Sequence, residues 1–331
     1  MLTLSSNQSV GLYIGIPFCS TRCVYCSFPS NQGKEDSIQA YLTALHQEIS
    51  FVAEKTKLKG WYPETIYVGG GTPTTLSAEQ LDELLLHVTK EFNLEHLKEF
   101  TVEAGRPDTI TEEKLKVIKK YDVQRISINP QSMNIPTLEQ IGRAHRPEDI
   151  VEAFRLARKI GIPMINTDVI AGLPEEDEGD FAHTLDEVLK LEPENITVHT
   201  LALKRASKLK EIDSDYHYKQ GKRVRAMLDT AKRMLDQSGY EPYYLYRQKQ
   251  MTGNFENVGY AKGNTAGIYN IRIMEEAQTI IALGAGGISK VYYPEENRLE
   301  RVANVSNYEI YIDRLDEMLQ RKADNIFNIG G

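Results

Sequence analysis

Ile16-Pro-Phe-Cys19-Ser-Thr-Arg-Cys23-Val-Tyr-Cys26-Ser-Phe28 holds every cysteine of the chain, three thiols inside one short window. Thiolates gathered this way, with no partner elsewhere, suit a soft metal centre better than a fold staple. A disulfide framework needs an even count and an exporting context, and the sequence offers neither. Zinc bound by three cysteines and a histidine stays open, with His46 the nearest candidate. Zinc ligands more often come as two separated pairs, however, and His46 falls in a helix-like stretch. A four-iron, four-sulfur cluster on three thiolates, with one iron left for a small molecule, fits the spacing best.

The bulk numbers bound what else the chain can be. Its 331 residues are enough for one large domain, or a domain with an appendage. Composition is that of a folded protein, 41% hydrophobic and 26% charged. No apolar run approaches the roughly 20 residues that span a bilayer. Met1 to Val10 lacks a basic start and an apolar core, so a cytoplasmic location and no membrane span are expected. A net charge of −8 argues against nucleic acid as a partner, which normally meets a basic surface.

Up to about residue 200, short β-branched or aromatic runs alternate with longer amphipathic stretches. The strands expected are Gly11–Ile16, Thr65–Gly69, Glu99–Glu103, Gln124–Asn129, Ile165–Ile170 and Asn195–His199. Helices are expected over Gln39–Val52, Ala78–Phe92, Glu112–Lys120, Glu148–Lys159 and Phe181–Leu191, with Ser77 and Thr111 as start signals. Six β–α units imply a parallel sheet with helices outside it, either an open six-unit barrel or a doubly wound sheet. Beyond His199 the rhythm breaks. A helix over Lys222–Gln237 precedes a tyrosine-rich strand, Tyr240–Tyr246. Asn254–Tyr269 reads as a loop and Thr279–Leu283 as a strand. A hairpin follows over Val291–Tyr293 and Leu299–Val302, then one closing helix over Tyr308–Arg321.

In (β/α) barrels the site forms from the loops after the strands. Here the first strand runs into the cysteines and the second into Gly69-Gly-Gly-Thr-Pro73. The third ends at Glu103-Ala-Gly-Arg106, the fourth at Asn129-Pro-Gln131. The fifth carries Asp168 and the sixth ends at His199. Turns are polar anywhere, which accounts for any one of these ends. It accounts poorly for all six, because Glu103, Gln131 and Asp168 lie in or directly after apolar strands.

The C-x3-C-x2-C spacing, with an aromatic before the last cysteine, resembles the radical S-adenosylmethionine (SAM) superfamily. The wider string Tyr13-Ile-Gly-Ile-Pro-Phe-Cys19 is similar to its oxygen-independent coproporphyrinogen III oxidase branch. The likeness is close over residues 11 to 204 and looser over Gly284–Ser289. It implies a partial (β/α)6 TIM-like α/β barrel with a C-terminal α+β extension, divided as a core over 1–204 and an accessory region over 205–331. It also implies a 4Fe–4S cluster on Cys19, Cys23 and Cys26, and one or two SAM molecules. SAM contacts then fall on Tyr13, Gly70, Gly71, Thr72 and Glu103, with Tyr25, Gln131, Arg143, Asp168 and Ala202 in the same pocket and Ile288 a weaker match.

The reaction implied is oxidative decarboxylation of coproporphyrinogen III propionates to vinyl groups by a 5′-deoxyadenosyl radical, fed by a low-potential donor such as flavodoxin or ferredoxin. A tetrapyrrole with several carboxylates on a flat frame needs cations and aromatics together. Lys204, Arg205 and Lys208, with Tyr243, Tyr244, Tyr246 and Arg247, are candidates, although a basic run is usually a solvated loop and alternating tyrosines usually one packed strand face.

Departures from the branch leave alternatives. Phe28 stands where the best-studied oxidases have a further cysteine, and Gly15 where they have histidine. Such changes recur in the family's haem-chaperone branch, which delivers haem. That branch's C-terminal His-Asn-x-x-Tyr-Trp motif is missing, the region reading Gly267-Ile-Tyr-Asn-Ile-Arg272. Val102-Glu-Ala-Gly-Arg-Pro-Asp108, Thr200-Leu-Ala-Leu-Lys-Arg205 and Tyr244-Leu-Tyr-Arg-Gln-Lys249 instead resemble the coproporphyrinogen dehydrogenase (HemZ-type) branch. Members of that branch carry a sizeable extra N-terminal region not found in this sequence, so a piece of a longer protein or a naturally short relative is expected. A radical SAM enzyme acting on another tetrapyrrole remains a further alternative.

Overall fold

The computed structural model describes residues 6–26, 31–202, 220–247 and 255–328. Six parallel strands follow one another across the sheet in chain order: β1 (Ser9–Ile16), β2 (Tyr62–Gly70), β3 (Glu99–Glu103), β4 (Arg125–Ser127), β5 (Met164–Ala171) and β6 (Asn195–Thr200). Between them run α1 (Glu35–Leu58), α2 (Ala78–Glu91), α3 (Glu112–Lys120), α4 (Ile135–Gln140), α5 (Pro147–Ile160) and α6 (Glu178–Lys190). An order that never reverses is that of a barrel wall, since a doubly wound sheet doubles back from its first strand. The wall does not close, so the architecture is a partial (β/α)6 barrel.

The period of two along each strand separates the two faces. Leu12, Ile14, Ile66, Val68, Phe100, Val102, Ile126, Ile165, Ile196 and Val198 point outward and are fully buried under the helices. Both start signals hold. Ser77 and Gln80 form a reciprocal capping box on α2, and Thr111 accepts from the Lys114 amide on α3.

Residues past 220 extend both edges of the same sheet. After α7 (Gly221–Gln237), β7 (Tyr240–Tyr246) and β8 (Asn257–Lys262) pair antiparallel, and β8 lies against β6. The expected loop over Asn254–Tyr269 therefore holds a strand. Its Gly259 makes the difference, because a Cβ there would collide with the ring of Tyr244 on β7. Next come α8 (Ile268–Glu275), β9 (Ile280–Leu283, parallel to β1) and the hairpin β10 (Ile288–Tyr293) and β11 (Arg298–Ala303). The single closing helix is in fact two, α9 (Tyr308–Asp313) and α10 (Leu315–Lys322), broken at Arg314.

Helix α8 stands inside the barrel at the strand-start end. Glu99, the first residue of β3, accepts from the Ile268 and Tyr269 amides at 3.0 and 3.1 Å and pairs with Arg125 at 3.2 Å. Arg272 pairs with Glu64 at 2.9 Å. These charges are buried, so only mutual pairing makes their desolvation tolerable. Asn270 and Met274 of the same helix form the floor of the cavity above.

Candidate radical SAM site

A cavity of about 320 Å³ opens where the parallel strands end. It is lined by Cys19, Cys23, Tyr25, Cys26, Gly70, Gly71, Thr72, Glu103, Gln131, Arg143, Asp168 and Tyr244, all singled out in the sequence. Five expected residues lie apart, among them Tyr243, whose hydroxyl accepts from Asn270 Nδ2 at 3.1 Å. Tyr13 stands beside Tyr67 across the β1–β2 pair, stacked on it at 6.2 Å, and is not in the lining. Ala202 follows β6 outside the lining, and Ile288 is an exposed first residue of β10. Arg247 is exposed and paired with Glu256. Lys204, Arg205, Lys208 and Phe28 lie outside the described residues.

The cysteine loop is tied to its neighbours by backbone bonds. Gly71 N donates to Ile16 O and Thr72 N to Phe18 O, each at 2.7 Å, and Val24 N donates to Ile141 O at 3.1 Å. This close approach explains the triple glycine. A Cβ on Gly71 would stand 2.4 Å from Phe18 O and 3.0 Å from Cys19 Sγ, while Gly70 holds φ of +112°. Cys19 Sγ meets Thr72 Oγ1 at 3.4 Å, and burial pushes its thiol up. None of the three cysteines is in a disulfide.

Opposite the thiols stand charged and amide groups. Arg143 donates to Asn129 O at 2.7 Å and to Tyr25 Oη at 3.3 Å. Gln131 has φ of +67°, a left-handed backbone that costs about 1–3 kcal/mol for a residue of this kind and tends to mark functional positions. Asp168 lies 3.5 Å from His199 Nε2, whose Nδ1 faces Tyr246 Oη at the same distance. Tyr244 Oη lies 3.1 Å from Thr197 Oγ1, so this tyrosine is at once a packed strand residue and part of the cavity wall.

Several lining residues were not singled out as ligands: Tyr67, Arg106, Ser127, Asn166, Thr197 and Asn270. All but Arg106 and Asn270 occupy the inward phase of their strands, so the period of two pointed to them. Asn270 reaches the site from a distant helix.

The residues suit an iron–sulfur cluster and its ligand in kind. Three soft donors face one cavity, and buried polar atoms around it have no partner: Arg106 Nη2, Arg143 Nε and Gln131 Oε1. Among the described residues, no three His, Cys, Asp or Glu side chains already stand close enough to ligate one ion. Cys19 Sγ instead meets Thr72 Oγ1, and Cys23 Sγ meets Arg106 Nη1.

Comparison with known proteins accords with this geometry. Residues 13–188 match the model of the radical SAM superfamily. Over 318 residues, 95% of this chain, 45% are identical to the oxygen-independent coproporphyrinogen-III oxidase-like protein HemZ of Bacillus subtilis, covering 64% of that protein. The heme chaperone HemW of the same organism is 38% identical over 190 residues, 57% of this chain and 49% of that one. The chain thus spans about half to two thirds of the length of these relatives. The solved structure of coproporphyrinogen III oxidase (HemN) from Escherichia coli superposes with a TM-score of 0.73 at 24% identity, over 95% of this chain and 70% of that one, a likeness of fold. Among the described residues no helix is long and apolar enough to cross a membrane.

Proposed function

Since the chain belongs to the radical SAM superfamily, we propose that it carries out the oxygen-independent oxidative decarboxylation of coproporphyrinogen III propionates to vinyl groups. The observation that carries this reading is the 45% identity, along almost the whole chain, to a protein named as coproporphyrinogen-III oxidase-like. When bound, a 4Fe–4S cluster supplies the electron that splits SAM and so the 5′-deoxyadenosyl radical that takes the propionate hydrogen.

The protein's own residues hold and orient. Cys19, Cys23 and Cys26 hold the cluster. The backbone at Gly70 and Gly71, bare of side chains, accepts from the methionyl amine of SAM, and Glu103 accepts beside it. Arg143 offers its fork to the SAM carboxylate. Asp168 and Gln131 take the ribose hydroxyls. Tyr244 and Tyr246 present rings to the flat substrate, and Lys204 and Arg205, outside the described residues, are the cations the sequence offers for its carboxylates. Positioning the reacting carbons and excluding water are the protein's share of the rate.

A second reading is haem delivery, favoured by the HemW relatives. One assay separates the two. The anaerobically reconstituted protein is given SAM, a reductant and coproporphyrinogen III. 5′-Deoxyadenosine with substrate mass losses of carbon dioxide supports the oxidase. Stoichiometric haem binding without turnover selects the carrier. Deoxyadenosine without substrate loss points to another tetrapyrrole.

A further inference from the structure

Cys23 is 7% exposed and stands beside a guanidinium group that the site's assigned roles leave unused. Arg106, at the end of β3, is 3% exposed and donates through Nη1 to Thr21 O at 3.1 Å and to Cys23 Sγ at 3.7 Å. Its Nε is bound by Asp108 Oδ1 at 3.1 Å. The other oxygen of Asp108 accepts from Ser20 Oγ at 2.7 Å. Arg106-Pro-Asp108 therefore grips the cysteine loop at three points: Ser20, Thr21 and Cys23. Pro107 stiffens the grip by opening a 3-10 turn over Pro107–Thr109.

The charge of this arginine is only partly cancelled at the sulfur. Asp108 sits on the Nε edge, away from Cys23, and its side chain is 30% exposed against 3% for Arg106. Water screens the carboxylate more than the guanidinium. A fixed cation with an N–H directed at a ligand sulfur favours the more negative, reduced form of an iron–sulfur cluster, because net charge and hydrogen bonds to the sulfurs set the potential. Arg143 also lies close to Cys23, but its charge is the one assigned to the SAM carboxylate. Arg106 is anchored on the loop side by Asp108, so its charge remains whether or not SAM is bound.

We propose that Arg106 is a positioning residue for the cluster. With Asp108 it clamps the cysteine loop to the end of β3, and its guanidinium, held against Cys23, raises the cluster's reduction potential. This rests on the radical SAM reading of the site.

The test uses the full chain, reconstituted without oxygen, with iron and sulfide analysis and a redox titration followed by electron paramagnetic resonance. R106Q and R106M remove the charge, and R106K keeps it. The neutral variants, with parental iron content, are expected to reduce about tenfold less favourably, a potential about 59 mV lower for one electron. R106K is expected to recover most of that shift. A parental potential in an iron-replete neutral variant, or a fall in R106K as large as in R106M, overturns the electrostatic role. S20A removes the Ser20–Asp108 arm of the clamp and leaves the charge, and it should lose iron to a chelator several-fold faster at unchanged potential. A parental stripping rate overturns the clamp, and this variant decides even if R106M does not fold. A parent protein that takes up no iron would instead sink the reading of the site itself.

Discussion

Tyr67 Oη donates to Glu103 Oε1 at 2.5 Å, and the carboxyl that receives this bond is pushed up to about 7. Burial is the main cause. The Tyr67 bond opposes it, and the nearby charge of Asp168 adds to it. The group assigned to the SAM amine thus sits near neutrality on β3, in the wall between the cluster loop and the tyrosines.

The unloaded protein should register that carboxyl. Folded, Glu103 stays protonated to about 7, against about 4.5 unfolded. The stability this supplies is fully present below 4.5 and is lost as pH rises through 7. Glu103→Gln cannot titrate, so its stability should gain on the parent's between pH 5 and 8, by at most about 3 kcal/mol. A difference flat across that range in paired thermal melts would contradict the shift.

Gly71→Ala should damage the cysteine loop first. The added methyl meets Phe18 O and Cys19 Sγ, and relieving it pushes the loop away from the end of β2. Destabilisation of about 1–3 kcal/mol is expected. Iron retention after reconstitution should fall further than stability does, as read by metal analysis on the folded fraction.

Arg143→Lys should weaken SAM binding at least tenfold, about 1.4 kcal/mol, because one ammonium cannot reproduce a fork that also holds Asn129 O and Tyr25 Oη. Calorimetric titration of the iron-loaded variant measures it. Parental affinity would remove Arg143 from the SAM carboxylate.

Lys322→Met should be among the costliest substitutions far from the cavity. Lys322 and Glu48 are fully buried 3.2 Å apart, and Glu48 also accepts from Gly284 N and Tyr311 Oη at 2.6 Å each. Removing one charge strands the other, for about 3–5 kcal/mol. The double change with Glu48→Gln should cost less than the sum of the two singles, measured by urea denaturation.

How far the sequence could be read depended on how local each signal was. The six barrel strands and their helices announced themselves because each strand buries one face under helices and turns a polar face inward, leaving a period of two in the residues. The cysteines, Gly70, Gly71 and Glu103 were legible from their place at strand ends. β8 was not, because glycine and asparagine read as a loop wherever the ring filling the space above Gly259 is invisible. The break at Arg314 has no glycine or proline to mark it. Asn270 and Met274 enter the cavity on a helix seated by Glu99 and Glu64, contacts more than 160 residues apart in the chain. Arg106 stood in plain view after Glu103, but nothing local showed that it would turn back onto Cys23.

Three thiolates of one loop holding an open-sited iron–sulfur cluster is the proposal on which the others rest. Metal and sulfide analysis of the anaerobically reconstituted protein, with its low-temperature electron paramagnetic resonance spectrum recorded before and after SAM is added, tests it most directly. Iron and sulfide are expected in the equal proportions of a 4Fe–4S cluster, with a reduced-state signal that SAM alters and loss of both on Cys23→Ala. Zinc in place of iron, or a signal that SAM leaves unchanged, would contradict it.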